Sequence, residues 1–281
     1  MSNYTVAEVC RIQKMSRQAY YQYEHREVKK RFEEEIVIQM VQEKRKRQPR
    51  IGVRKLYHML GPELRALGSK IGRDGLYALL RAEGLLVRLK RKNCRTTNSN
   101  HWFLVHTNLL ANLSVTYTNQ VWVSDITYLN TENGFVYLSL ITDYHSRKII
   151  GYSVSQSLSI EGSVEALRMA QGKTKLLKGI IHHSDRGIQY CSYAYTGILK
   201  KAKMKISMGE KGNPYDNAIA ERVNGILKME FLLDERFKDI QGAVKRAKES
   251  IEIYNKERPH MSLNYRTPEE VYEGLKQGGG Q

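Results

Sequence analysis

Cysteine is scarce in this 281-residue chain: only Cys10, Cys94 and Cys191 occur, isolated and odd in number. They form neither a disulfide framework nor a CxxC zinc pattern, so reduced cytosolic thiols are the expectation. Long apolar runs are missing too. Nothing approaches the roughly eighteen apolar residues of a membrane span, and the opening "MSNYTVAEVC" has no signal-peptide apolar centre. No membrane partner is expected. What remains is an ordinary globular balance, 41% hydrophobic and 27% charged.

Negative charge is the other shortage. Lys and Arg total 46 against 29 Asp and Glu, a formal net charge of +17. The excess is uneven: the first 100 residues hold 23 basic and 10 acidic residues, a net +13. A basic front third suits a polyanion partner held through phosphate contacts. A solubilising surface would have the same composition.

The first hundred residues read as helical. "TVAE" at 5–8 fits a capping box, with Thr5 as N-cap and Glu8 reaching back. After a short break, Ser16 can cap a second helix through "RQAYYQYEHR". Two helices and a tight turn suit a helix-turn-helix over 1–30, with Arg17, Gln18 and Tyr21 where base or phosphate contacts are made. An ordinary helical hairpin has the same pattern. A second helical, helix-turn-helix-like unit is expected over 31–97. It contains the basic cluster Lys44, Arg45, Lys46 and Arg47, then "IGVRKLYHMLG" and "IGRDGLYALLRAEGLL", which bring Arg54 and Arg73. All six are candidate DNA contacts, although charge runs are commonly just solvated faces. The basic run "RLKRKNCRTTNSNHW" from Arg88 then leads into an aperiodic linker expected at 98–118.

From residue 119 the pattern changes to strands. "QVWVSDITYL", "FVYLSLITDY" and "KIIGYSVS" alternate strongly, with "TENG" as a turn. Helical and strand segments then take turns through "IEGSVEALRMAQ", "KGIIHHSD", "SYAYTGILKKAK", "KISMGEK", "NPYDNAIAERVNGILKMEFL" and "IQGAVKRAKESIEIYN". This predicts an α/β core with a mixed sheet over 119–273, preceded by the all-α modules and followed by a flexible tail at 274–281.

Three carboxylates stand out in this core. Asp125 lies mid-strand, sharing a face with Val121 and Val123. An aspartate there is costly to bury unless paired or bound to a cation. Asp185 ends the strand in "HHSDRGIQY", as a turn residue or a metal ligand, and Glu221 sits inside a long helix. Oxygen ligands from two strands and a helix suit Mg²⁺ or Mn²⁺. Two such ions, about 3.5–4 Å apart, would activate an attacking water or 3′-hydroxyl and stabilise the leaving oxygen. Asp143 is a rival acid, but "TDYHSRK" also fits a turn. Adjacent strand residues His182 and His183 point to opposite faces, which argues against a paired zinc site. His183 shares the Asp185 face and is either metal-site support or a packed strand histidine.

Fifty-nine residues separate Asp125 from Asp185, and 35 separate Asp185 from Glu221. That order and the 35-residue gap resemble the DDE transposases and integrases, whose catalytic core is RNase H-like. More narrowly, "VWVSDITYL", "HHSDRGIQY", "SMGEKGNPYDNAIAERVNGILKME" and "YNKERPHMSLNYRTPEE" look like the orfB-type transposase of the insertion-sequence-three family. The resemblance implies Asp125, Asp185 and Glu221 as the catalytic, metal-binding triad, with two Mg²⁺ or Mn²⁺ ions per site. It implies that Lys228, two helical turns after Glu221, touches the DNA end, and Asn217, one turn before Glu221, is placed to support the site. Asp216 is rotated well away and suits capping or loop packing. "RPH" at 258–260 is a family hallmark for which docking against the core is the expected role.

The implied function is binding of terminal inverted repeats through 1–97, strand cleavage, and strand transfer into target DNA, by an assembly of at least two copies. The implied location is the bacterial cytoplasm, at the nucleoid. Two features depart from relatives of this kind. No His/Cys cluster matches the zinc-binding domain of retroviral integrases, and no leucine-zipper segment lies upstream of the core. An upstream-frame protein partner, or a frameshift fusion with it, is therefore a further expectation. A DNA-binding regulator with an inert core and a structure-specific nuclease are the rival readings.

Overall fold

The computed structural model describes residues 4–87, 103–210 and 217–274. These fall into two compact units, a helical one within the first 87 residues and a sheet-bearing one formed by 48–50 and the residues after 87.

The helical unit contains α1 (Val6–Ile12), α2 (Arg17–Arg47), α3 (Val53–Ala66) and α4 (Arg73–Ala82). The capping box is present: Glu8 N–H donates to Thr5 Oγ1, and Thr5 N–H donates to the Glu8 carboxylate at 2.7 Å. Ser16 Oγ accepts from Ala19 N–H at 3.1 Å and starts α2. That helix then runs 31 residues, crossing the domain boundary expected at 30/31 without a break. The reason lies in "EHREVKKRFEEE", which has neither glycine nor proline and is rich in good helix formers. Val37 and Val41 of α2 bury against Leu56, Leu60 and Leu64 of α3 and Leu76 and Leu80 of α4. The four-residue spacing within each helix supplies one continuous apolar stripe.

The second unit runs β1 (Val121–Thr131), β2 (Gly134–Asp143), β3 (Ile149–Ser155), α5 (Ile160–Gly172), β4 (Ile181–Ser184), α6 (Ile188–Cys191), α7 (Tyr193–Lys201), β5 (Lys205–Met208), α8 (Ala218–Glu230), β6 (Arg236–Phe237), α9 (Ile240–Lys256) and α10 (Pro268–Tyr272). The sheet order is β3-β2-β1-β4-β5. The first three strands are antiparallel, while β4 pairs parallel with β1, and β5 with β4. Two residues of β6 pair parallel with the end of β1. This is the RNase H-like mixed sheet expected from the sequence.

Alternation along β1 feeds both layers. Val121 and Val123 pack on Ala220 of α8, and Leu129 meets Val223 and Ile226 of α8 and Ala247 of α9. Trp122, fully buried, faces the other way onto Ala166 and Leu167 of α5 and Tyr195 and Leu199 of α7. Complete burial of a large apolar side chain stabilises by about 1.5–3 kcal/mol, so these two layers fix the register of β1 firmly. Part of the expected linker also joins the sheet: Leu109 N–H donates to Ser207 Oγ at 2.8 Å, and Leu110, Leu113 and Val115 pack beside Val121 and Val123. That chain lies along β5, an edge otherwise open to pairing. Residues 98–102 of the linker and 275–281 of the tail fall outside the described residues.

Two polar clusters brace the core. Asp143, fully buried, accepts from Asn119 N–H at 2.6 Å, Ser146 N–H at 2.7 Å and Ser146 Oγ at 2.6 Å. It is the turn residue that one reading of "TDYHSRK" required. Arg258, 2% exposed, donates from Nε and Nη2 to the two Glu230 oxygens at 2.8 Å each, and His260 sits edge-on to Tyr254 at 5.1 Å. The "RPH" segment thus docks on the end of α8, as expected. Among the described residues no helix is long and apolar enough to cross a membrane.

At Gly151 of β3 the sheet and α5 approach closely. A Cβ there would lie 2.1 Å from the Ala166 carbonyl oxygen. Gly151→Ala should therefore force α5 outward, costing roughly 1–3 kcal/mol or more and lowering the thermal midpoint by several degrees. An unchanged midpoint in a calorimetric melt would contradict this packing.

Candidate active site

The parallel pairing of β1 and β4 aligns Val121 with Ile181 and Val123 with His183. Two residues further along each chain come Asp125, still within β1, and Asp185, just past the end of β4. The first turn of α8 packs over the same face of β1 through Ala220, which puts its neighbour Glu221 at the solvent side. Two strands and one helix therefore deliver three acids to one end of the sheet.

Their electrostatics confirm the proximity. Burial and then the nearby Asp185 push the Asp125 carboxyl up to about 7; hydrogen bonding from Asn224 opposes this, and Glu221 adds a smaller upward push. The Glu221 carboxyl is also raised, first by burial and then by Asp185. Asp185 is the common neighbour of both. Asp185 Oδ1 accepts from Gly187 N–H at 3.0 Å. A Cβ on Gly187 would sit 2.9 Å from that oxygen, so glycine permits the close approach.

Among the described residues, no three His, Cys, Asp or Glu side chains are already drawn together into a metal-holding cage. The acids stand within electrostatic range of one another but not converged, as mutual repulsion requires. Their chemistry fits a divalent cation: hard oxygen donors, shared repulsion, and a carboxyl that would ionise more readily beside positive charge.

The sequence reading missed Asn224. Its Nδ2 donates to Asp125 Oδ2 at 2.7 Å from a buried position three residues after Glu221. That spacing places both on one face of α8 and was the available signal. Asn217, the N-cap residue of α8, donates from Nδ2 to the Ser124 carbonyl at 3.1 Å, tying the helix start to the strand beside Asp125. Lys228 places Nζ 3.8 Å from the centroid of the Tyr128 ring, on the strand that carries Asp125. Asp216 lies outside the described residues.

The histidines lie deeper. His183 Nδ1 pairs with Ser207 Oγ at 2.8 Å and is fully buried, the arrangement of a packed strand residue. His182 Nε2 meets Ser124 Oγ at 2.7 Å and Tyr195 Oη at 2.9 Å. Burial, then His183, pushes the His182 imidazole down to about 3, so it stays neutral while joining β1, β4 and α7 beneath the acids.

In the helical unit the basic candidates divide. Lys44 pairs with Glu63 at 2.9 Å, and Arg45 donates to the Leu85 carbonyl at 2.7 Å, with burial lowering its pKa. Both are used inside the unit, because α2 turns that side toward α3 and the end of α4. Arg73 pairs with Asp74 at 2.9 Å and Lys46 with Glu43 at 2.5 Å, both at the surface. Arg17, Arg47 and Arg54 are exposed, and Gln18 lines a surface hollow with Tyr21, Gln22, His25 and Arg26.

Known proteins match along most of this chain. One integrase core domain family model matches residues 116–214 and a second matches 202–268. The insertion element IS600 uncharacterized 31 kDa protein of Shigella sonnei is 37% identical over 264 residues, 92% of this chain and 96% of that one. Transposase InsF for insertion sequence IS3A of Escherichia coli (strain K12) is 38% identical over 179 residues, 63% of this chain and 62% of its own length. Among solved structures, the HTLV-2 integrase catalytic core domain in complex with magnesium is 17% identical, covering 56% of this chain and 97% of that one at a TM-score of 0.44. With a relative matched over nearly its entire length and the integrase core spanning the acidic end of the sheet, the chain belongs to the IS3-type DDE transposases.

Proposed function

We propose that this transposase binds the ends of its insertion sequence and carries out both cleavage and joining at a site formed by Asp125, Asp185 and Glu221. The observation that carries this reading is that the sheet and α8 bring the three acids within electrostatic range at one end of the sheet, where Asp185 raises the carboxyls of both others. Asp125, Asp185 and Glu221 would hold two divalent cations, Mg²⁺ or Mn²⁺. When bound, such ions supply activation of the attacking oxygen and charge neutralisation at the leaving oxygen.

The chain's own groups do the rest. Asn224 holds the Asp125 carboxylate in place through its amide, and Asn217 fixes the start of α8 against β1. Lys228 supplies an ammonium beside Tyr128 for a phosphate of the element end. In the first step water attacks phosphorus at the end of the element, and the broken P–O bond leaves a 3′-hydroxyl. In the second, that hydroxyl attacks a target phosphodiester, forming one P–O bond and releasing a target 3′-hydroxyl. No serine or tyrosine nucleophile is needed.

The helical unit of residues 4–87, with Arg17, Gln18, Lys46, Arg47, Arg54 and Arg73 at hand, would hold the terminal inverted repeats. Joining two ends calls for at least two copies, and an upstream-frame partner would complete end recognition. Action at the bacterial nucleoid follows from the substrate.

Strand-transfer assays with pre-cut ends and Mg²⁺ test the reading. Joined product supports a transposase; cleavage alone would favour a nuclease, and binding alone a regulator. Asp125→Ala, Asp185→Ala and Glu221→Ala should each abolish joining while duplex binding persists. Full joining by any of them removes that residue from the site.

A second test uses pH. The folded-state pKa of Asp125 is raised, to about 7, so the stability linked to its protonation is complete below the usual aspartate range and lost as pH climbs toward 7. In chelator, Asp125→Asn should melt close to wild type at pH 4 and progressively above it up to about pH 7. Mg²⁺ at pH 8 should raise the wild-type midpoint and leave the variant unmoved. Equal responses to the metal would count against Asp125 as a ligand.

A further inference from the structure

At the end of the sheet opposite the acids, where β1, β4 and β5 begin, lysine is concentrated. The loop after α5 carries Lys173, Lys175 and Lys178, and the stretch from α7 into β5 carries Lys200, Lys201, Lys203 and Lys205. Neither 172–180 nor 200–205 contains an acidic residue. Backbone hydrogen bonds join the two stretches: Gly179 N–H to the Lys203 carbonyl at 3.0 Å, and Lys205 N–H to the Ile180 carbonyl at 2.8 Å. All seven lysines are exposed, and among the described residues none takes part in an ion pair.

A surface cleft of about 580 Å³ opens at this edge among Lys173, Lys175, Lys178, Tyr117, Gln120 and Tyr272. Beside it Lys148 stands over the Tyr272 ring at 4.4 Å and pairs with Glu269 at 2.9 Å. Lys173 sits close enough that its ammonium is disfavoured, first by partial burial and then by Lys148. Glu269 offsets this only in part, and among the described residues no acid pairs with Lys173, Lys175 or Lys178, so the cleft keeps an excess of positive charge.

We propose that this lysine edge is a second DNA-binding surface of the core, gripping the phosphodiester backbone of duplex DNA without reading its sequence. The inference rests on the transposase reading above. Lysines are flexible point charges that match a line of phosphates, and they lack the planar fork that reads guanine edges. DNA carries about one charge per 1.7 Å of axis, so an edge of seven ammoniums can meet several phosphates together. Strand register sets it apart from the reacting site. Lys205 aligns with Ile181, and Ile181 with Val121, four residues before Asp125, a separation of roughly 13 Å along the strand. DNA on this edge is therefore beside, not on, the phosphodiester being cut.

The test compares the full-length chain with Lys173→Gln/Lys175→Gln/Lys178→Gln and with a control, Lys238→Gln/Lys245→Gln/Lys248→Gln, which removes equal charge from exposed positions elsewhere. Affinity for a random-sequence duplex is measured in chelator across a salt series. The first triple variant should lower the slope of log affinity against log salt by about 2–3, and the control should keep the wild-type slope. An unchanged slope for the first variant, or an equal drop for both, overturns the second surface. If the slope is unchanged but the wild-type chain binds duplex and joins ends, only the lysine edge is lost; if it neither binds nor joins, the transposase reading itself fails.

Discussion

Repulsion among three carboxylates is the constraint on which this protein's working end depends. Asp125 and Glu221 are both held above their ordinary range by burial and by Asp185. A fold that assembled such a cluster with no counter-charge would sacrifice stability. The surrounding architecture holds the conflict in place: Trp122 and Val123 lock β1 from opposite faces, and Asn224 grips the Asp125 carboxylate from α8. On the proposed reading, positive charge supplied from outside would stabilise the fold and equip the reaction at once.

The same logic explains the polar braces around the cluster. The Ser124–His182–Tyr195 contacts and the Asn217 tie to Ser124 are neutral, so they position the strands without quenching the acids. The strong ion pair, Arg258 with Glu230, lies at the far end of α8. Removing one partner of such a buried pair would leave an uncompensated charge and cost about 3–5 kcal/mol. It anchors the helix, while among the described residues Glu221 forms no ion pair.

Much of the core was legible in the sequence because strand alternation is a short-range signal. The five main strands and α5, α7, α8 and α9 fall where the pattern placed them, the short α6, β6 and α10 did not show in it, and Asp125 was singled out as a polar residue among apolar strand neighbours. The rest depended on contacts that linear pattern does not encode. The Ser124–His182 hydrogen bond spans 58 positions, and Asn224 reaches Asp125 across 99. In the front third, the breaker-free "EHREVKKRFEEE" was itself the sign that α2 would run through 30/31, and the expected boundary passed over it. Lys44 and Arg45 read as part of a basic surface, yet helix rotation points them at Glu63 and the Leu85 carbonyl.

The central claim is that the acidic cluster takes up divalent cations by giving up a proton held on the Asp125 carboxyl. Calorimetric titration of the full-length chain with Mn²⁺, repeated near pH 6.5 in buffers of differing ionisation enthalpy, measures that exchange directly. Binding accompanied by net proton release, fading toward pH 9, is the result the account predicts, because metal displaces protons from ligands with raised pKa values. Binding with no proton release at pH 6.5, or no binding at all, would contradict it.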